Sequence, residues 1–267
     1  MSKITIQDIL RRKQKEHRNI AVLTAYDFPF AKLVDEAGID IVLVGDSLGM
    51  VCLGYDSTLP VTMEDMLHHV KPVSRAVKHA LVVADMPFGS YQTVGSALHN
   101  AKRFIKEGGA QAVKLEGGER ILDQVKSLVR AGFPVMGHLG MLPQSIRKIG
   151  GYKVQGKTKD EANQIFGEAL ELERAGAFAI VLECVPNSLA KRITKKLNIP
   201  TIGIGAGPDT DGQVLVLHDL LGFRSQVRPR FVRCYADLDS VIRKAVTRYR
   251  QDVLRRKFPS LEESFKG

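Results

Sequence analysis

Ala112-Val113-Lys114-Leu115-Glu116-Gly117-Gly118 decides the reading of this chain. A short apolar run closed by glycines has the length and the boundaries of a buried strand. Alternate side chains of a strand share a face, so Lys114 and Glu116 point the same way. In a central strand that way is into the protein, where an ion pair is costly to desolvate. A structural ion pair and a functional site both fit this stretch taken alone. Other strands end the same way, which favours a site.

Seven more apolar runs surround it in the chain. Ile20–Thr24 leads into Tyr26-Asp27, and Ile41–Val44 ends in Gly45-Asp46-Ser47. Leu81–Ala84 ends in Asp85, Pro134–Gly137 in His138, and Phe178–Leu182 in Glu183. Pro200–Ile204 runs into Gly205-Ala206-Gly207, and Val214–Leu217 ends in His218-Asp219. Helical stretches between them close on Glu36-Ala37-Gly38, Lys106-Glu107-Gly108-Gly109, Arg130-Ala131-Gly132 and Arg174-Ala175-Gly176. A glycine just past a helix end and a short loop to a strand make the αβ connection of a parallel sheet. Near-continuous apolar strands, buried on both faces, say the same. Eight such strands predict a single (β/α)8 TIM barrel over residues 1–267. Asp46, Asp85, Glu116, His138 and Glu183 all stand at C-terminal strand ends, which a barrel gathers at one mouth and an open sheet would scatter along an edge. Two long connections, residues 47–70 and 139–162, leave from that mouth and could form its lids.

Composition narrows the class. The 267 residues are 44% hydrophobic with 24 glycines, as in a cored α/β protein with many turns. No apolar run approaches the roughly 18 residues of a membrane span. The N-terminal residues lack the apolar centre of a signal peptide, so a cytoplasmic address is expected. Cys52, Cys184 and Cys234 lie far apart, which argues against a disulfide framework or a zinc site. The net charge of +10 is local: Arg224 to Lys257 holds 11 Lys/Arg against 3 Asp/Glu, and the rest is nearly neutral. That segment lacks interleaved aromatics, so a solvated helix face, an oligomer contact or attraction of anionic substrates is expected rather than nucleic acid. Thr5-Ile6-Gln7-Asp8 has capping-box spacing and opens a helix over 5–18. Residues 236–256 form a basic helix whose stripe Leu238, Val241, Ile242, Ala245, Val246, Tyr249, Val253, Leu254 is read as core packing.

The strand ends specify a chemistry. Asp46, Asp85 and Glu116 are hard oxygen ligands with no cysteine and at most His138 nearby, a set that selects magnesium or manganese over zinc. An ion held this way can chelate a 2-oxo acid and act as a Lewis acid when a neighbouring C–H is deprotonated. Lys114 and the Ser47 hydroxyl are placed to hold the substrate carboxylate, and Glu183, on a separate strand, to act as general base. Any one carboxylate could instead cap a helix at a strand-to-helix turn. Gly203-Ile204-Gly205-Ala206-Gly207 permits close backbone approach, and a tight turn alone explains it. Gly151-Tyr152-Lys153-Val154-Gln155-Gly156-Lys157-Thr158 fits the P-loop pattern, but a P-loop needs a buried strand before it, and Pro143 to Ile149 is proline-interrupted and charged.

The motifs resemble those of the ketopantoate (3-methyl-2-oxobutanoate) hydroxymethyltransferase family. They run from Thr24-Ala25-Tyr26-Asp27 through Val44-Gly45-Asp46-Ser47-Leu48-Gly49-Met50, Asp56-Ser57-Thr58-Leu59-Pro60-Val61-Thr62 and Ala84-Asp85-Met86-Pro87-Phe88. They continue with Lys114-Leu115-Glu116-Gly117-Gly118, Gly137-His138-Leu139-Gly140, Gly150 to Gly156, Leu182-Glu183-Cys184-Val185-Pro186 and Gly203 to Gly207. The resemblance implies a barrel like those of the phosphoenolpyruvate mutase/isocitrate lyase group, assembled as a homodecamer. It implies transfer of a hydroxymethyl group from 5,10-methylenetetrahydrofolate to 3-methyl-2-oxobutanoate through a magnesium-stabilised enolate, giving 2-dehydropantoate for pantothenate and coenzyme A synthesis. It marks Asp46 and Asp85, with Glu116, as the Mg2+ shell, Asp46, Ser47, Asp85 and Lys114 as ketoacid contacts, Glu183 as the base, and His138 beside the substrate. It also makes the P-loop pattern incidental. The alternatives are a related metal-dependent barrel lyase or mutase on another 2-oxo acid, a P-loop ATPase, and a nucleic-acid-binding module.

Overall fold

The computed structural model describes residues 2–145, 153–223 and 229–265. The chain divides into two compact units, Met1–Val216 and Leu217–Gly267. The first contains all eight expected strands: β1 Ile20–Thr24, β2 Ile41–Val44, β3 Leu81–Asp85, β4 Ala112–Glu116, β5 Val135–Gly140, β6 Ala179–Glu183, β7 Thr201–Ile204 and β8 Gly212–Leu215. They pair in sequence order, every pair parallel, and β8 closes on β1 through Ile20↔Gly212. Helix α1 Ile6–Arg11 precedes β1, and α2 Phe28–Glu36, α3 Leu48–Val51, α4 Met63–Ala76, α5 Val94–Lys106, α6 Leu122–Arg130, α7 Lys159–Arg174 and α8 Asn187–Lys196 lie in the connections between strands. At the four expected helix-to-strand turns, Gly38, Gly109, Gly132 and Gly176 have φ of 81°, 78°, 85° and 94°. That left-handed geometry ends a helix at no steric cost only for glycine.

The barrel interior follows the two-residue period of its strands. Ile20 and Val22, Ile41 and Leu43, Leu81 and Val83, Ala112, Met136, Ala179 and Val181, Ile202, and Val214 form one buried cluster. The next inward positions toward the C-terminal ends are Asp85, Lys114 and Glu116, His138 and Glu183. The lumen is therefore apolar below and charged above.

The N-terminal segment closes the apolar end. Thr5 and Asp8 form the expected capping box. The helix runs as α to Arg11 and as a π turn to Glu16, which is shorter than the expected 5–18. Ile9 is fully buried in the barrel cluster, with Ile4 and Ile6 packed against it. Arg12 pairs with buried Asp40, and Lys13 with Asp211 at 2.9 Å.

Two expectations are corrected. The eighth strand starts at Gly212 and stops at Leu215, so His218 and Asp219 lie in a short helix, α9 Leu217–Leu220, rather than at a strand end. Gly212 lacks the side chain that marks a strand in sequence, and a Cβ there would meet the Ile20 carbonyl at 2.4 Å. In the second unit, α10 Leu238–Leu254 is capped by Asp237 and has no buried residue. Val241, Ile242, Val246, Tyr249, Val253 and Leu254 are exposed, so the stripe is not core packing. An apolar stripe shows that a face is suited to burial, not which surface covers it.

Asp35, near the end of α2, pins the loop that enters β3. Its carboxylate accepts hydrogen bonds from the backbone N–H groups of Lys78, His79 and Ala80 at 2.7–3.1 Å. Burial opposes its charge, but these donors hold its pKa below the ordinary aspartate value. Asp35→Ala is expected to cost about 2–3 kcal/mol in urea unfolding at pH 7 by stranding those donors. Because the folded-state pKa is the lower one, the deficit should persist down to about pH 4 and shrink as pH falls further. A deficit independent of pH would contradict this.

Candidate active site

Register assembles the charged layer of the lumen. Asp85 lies level with Lys114 across β3 and β4, Glu116 with His138 across β4 and β5, and Gly140 with Glu183 across β5 and β6. Inward neighbours on adjacent strands are close enough to touch. Lys114 Nζ is 2.7 Å from Asp85 Oδ2 and 3.8 Å from Glu116 Oε1. His138 Nδ1 is 3.2 Å from Glu116 Oε1, and its Nε2 is 3.1 Å from Glu183 Oε2. Asp46, Asp85, Lys114, Glu116 and His138 are each at most 4% exposed, while the Glu183 side chain keeps 13% of its surface.

Asp46 joins from the turn after β2. Its N–H donates to Asp85 Oδ2 at 3.4 Å, and its Oδ2 accepts from Gln144 Nε2 at 2.8 Å. Ser47 is next in the chain, but its hydroxyl is bonded to the Tyr26 hydroxyl at 2.8 Å, not to the cluster. Five of the expected residues thus form one contact chain, Asp46 is linked to it through its own N–H, and Ser47 stands one step outside.

The electrostatics show a shortage of positive charge. Burial opposes a charged Lys114, but Asp85 and then Glu116 outweigh it and hold the pKa above the ordinary lysine value. Burial and the Lys114 ammonium oppose a charged His138, yet Glu116 and Glu183 push it up to about 9. Four carboxylates therefore face two cationic side chains, which leaves two negative charges uncompensated. Asp46 bears the consequence: burial first, then repulsion from Asp85 and Glu116, raises its pKa well above the carboxylate range.

A divalent cation fits that deficit. Asp85 Oδ1 is a buried acceptor without a hydrogen-bond donor, and Glu116 Oε1 faces His138 Nδ1 at 3.2 Å. Among the described residues no group of three or more His, Cys, Asp or Glu side chains is arranged to close around an ion. Magnesium asks for less, since it takes one or two carboxylates and fills its other positions with waters and substrate oxygens. Asp46, Asp85 and Glu116 supply hard oxygens of that kind.

Two other motifs carry no chemistry of their own. Gly205 and Gly207, with φ of 64° and 82°, make the turn after β7. Of the P-loop pattern, Gly151 and Tyr152 lie outside the described residues. Lys157 is exposed, and Thr158 caps α7 by accepting from the Glu161 N–H. Sequence reasoning missed Gln144 and Tyr91, which sit on loops at the mouth where no periodicity marks them. Tyr91 donates its hydroxyl to Gln144 Oε1 at 2.5 Å.

Fold and site together define a parallel (β/α)8 barrel with a buried lysine–carboxylate–histidine cluster at its C-terminal mouth, where barrel enzymes carry their chemistry. The chain belongs to the ketopantoate hydroxymethyltransferase family, whose sequence profile matches residues 3–261. It is 58% identical over 257 residues to the 3-methyl-2-oxobutanoate hydroxymethyltransferase of Thermoanaerobacter sp. (strain X514), spanning 96% of this chain and 94% of that one. The protein of that name from Carboxydothermus hydrogenoformans is 56% identical over 266 residues, spanning 99% and 96%. Among solved structures, a phosphonopyruvate hydrolase in complex with oxalate and Mg2+ superposes with a TM-score of 0.63 at 15% identity, over 97% of this chain and 93% of that one. A 2,3-dimethylmalate lyase of the PEP mutase/isocitrate lyase superfamily superposes with a TM-score of 0.61 at 16% identity, over 98% and 91%. At such identities the likeness is one of fold, and it matches the expected barrel type.

If the charge deficit is a cation site, Mg2+ should stabilise the fold. At about 100 times the dissociation constant, linkage gives about 2.7 kcal/mol, read as a rise of several degrees in Tm. Asp85→Asn should remove most of that rise. An equal rise in both proteins would place the ion elsewhere.

Proposed function

We propose that the chain transfers a hydroxymethyl group from 5,10-methylenetetrahydrofolate to 3-methyl-2-oxobutanoate, giving 2-dehydropantoate for pantothenate and coenzyme A synthesis. The family and the names of the relatives support 3-methyl-2-oxobutanoate as the acceptor of a hydroxymethyl group, and the folate donor is what the motif resemblance implies. The observation that carries the chemistry is the position of Glu183, the one carboxylate of the layer that still reaches solvent, opposite the lysine-paired group.

Asp46, Asp85 and Glu116 would hold Mg2+, which supplies Lewis acidity toward the keto and carboxylate oxygens of a 2-oxo acid. Lys114, fixed by Asp85 and charged at neutral pH, offers the ketoacid an ammonium donor. Ser47 offers a hydroxyl, turned by Tyr26. Glu183 takes the proton from C3, and the electron pair left there forms the new carbon–carbon bond to the folate methylene carbon as one of its C–N bonds opens. Hydrolysis of the remaining C–N bond supplies the hydroxyl from water and releases tetrahydrofolate. His138 holds Glu183 through Oε2 and keeps that carboxylate oriented. The apolar floor of the lumen keeps water away from below. A cytoplasmic address and a homo-oligomer, a decamer by resemblance to the family, complete the reading. The described residues contain no helix long and apolar enough to cross a membrane.

The test is turnover, with 2-dehydropantoate followed by mass spectrometry in the presence of both substrates and MgCl2. Glu183→Gln should lower kcat by about 10²–10⁴-fold, the usual range for a general base, with little change in KM. Chelation should abolish the activity of the unmodified chain. Undiminished turnover in Glu183→Gln would remove Glu183 from the reaction.

A further inference from the structure

Gln144 stands in the one-turn helix Pro143–Ser145 after β5, yet it is only 5% exposed. Its Nε2 donates to Asp46 Oδ2 at 2.8 Å and to the Met86 carbonyl at 2.9 Å. Its Oε1 accepts from the Tyr91 hydroxyl at 2.5 Å, and its backbone N–H donates to Glu116 Oε2 at 3.1 Å. A carboxylate and a carbonyl can only accept, so the amide must turn its nitrogen toward Asp46 and Met86 and its oxygen toward Tyr91. Both hydrogens and the oxygen are then used, and a flipped amide would face two acceptors with an acceptor.

Asp46 depends on this contact. Among the described residues, Gln144 is the one side chain that donates a hydrogen bond to its carboxylate. Lys114, the nearest ammonium in the layer, is committed to Asp85. Gln144 also restrains Glu116 through Oε2, while Glu116 Oε1 faces His138 Nδ1 at 3.2 Å.

We propose that Gln144, locked by Tyr91, is a positioning residue that aims the Asp46 and Glu116 carboxylates at a divalent cation, so that the turn after β5 and the cation site are assembled together. This rests on the reading that the cluster holds such a cation. Partners that orient ligating carboxylates typically govern about 10–100-fold in metal affinity. A purely structural role would lower Tm and leave that affinity alone.

The experiment measures Mn2+ binding by paramagnetic resonance of the free ion, together with metal-free Tm, for the unmodified chain, Gln144→Ala, Tyr91→Phe and the double variant. Gln144→Ala should raise the Mn2+ Kd about 10–100-fold, and Tyr91→Phe several-fold, since it frees only one end of the amide. In the double variant Tyr91→Phe should add little, because its 2.5 Å bond to Gln144 is much shorter than its 3.3 Å contact with the Glu116 carbonyl. Equal Kd values in all four proteins overturn the proposal. If Gln144→Ala does not fold, Tyr91→Phe decides alone, and an unchanged Kd there overturns it. Absence of Mn2+ binding in the unmodified chain overturns the cation reading itself and the role of Gln144 with it. Binding that the variants leave intact overturns only the latter.

Discussion

The ion pair between Lys114 and Asp85, 2.7 Å apart and almost wholly out of water, is the constraint on which the rest of the mouth depends. Its charges come from adjacent strands held level by the β3–β4 register. Removing one partner of such a pair leaves a buried charge and costs about 3–5 kcal/mol. A charge layer of this kind is a poor way to stabilise a barrel that apolar residues could fill. Its persistence makes sense if the charges bind something. The arrangement is also incomplete, because one lysine and one histidine do not balance four carboxylates. Burial pushes both Asp46 and Asp85 toward their neutral forms, Asp46 the more strongly because it has no ammonium bonded to it.

Everything below that layer serves to hold it in place. Parallel strands with one inward phase put apolar side chains in the lower lumen and titratable ones above, so the floor of the site is the hydrophobic core itself. The N-terminal helix closes the lower end through Ile9 and is tied down by Arg12 and Lys13. Asp35 secures the loop that feeds β3, and hence the strand that ends in Asp85. The buried charges of the N-terminal face tie segments together, while those of the C-terminal face line the mouth, a division common in barrels of this kind.

What was legible in the sequence follows from periodicity. Asp85, Glu116 and Glu183 end apolar strands in the inward phase, Lys114 and His138 stand two residues before a strand end, and a two-residue repeat carries from the core into the site without a break. The four helix-ending glycines were equally plain, because only glycine turns that corner freely. Gln144 and Tyr91 were not legible. They reach the cluster from loops, where neither spacing nor composition tells which way a side chain turns, and Pro143-Gln144 reads only as an interruption. The eighth strand was misplaced because it opens on Gly212 and Gln213, which carry no apolar pattern. The stripe on α10 was read correctly as a periodic face and wrongly as core, since a pattern of apolar residues does not name its partner.

This layer of charges, completed by a divalent cation, would let Glu183 take a proton from carbon. Proton NMR of 3-methyl-2-oxobutanoate in D2O, with the protein and Mg2+ but no folate, addresses it most directly. The C3 proton signal should be lost with Mg2+ present, and retained after chelation or with Glu183→Gln. Exchange that proceeds equally well without the metal or without the Glu183 carboxylate would contradict it.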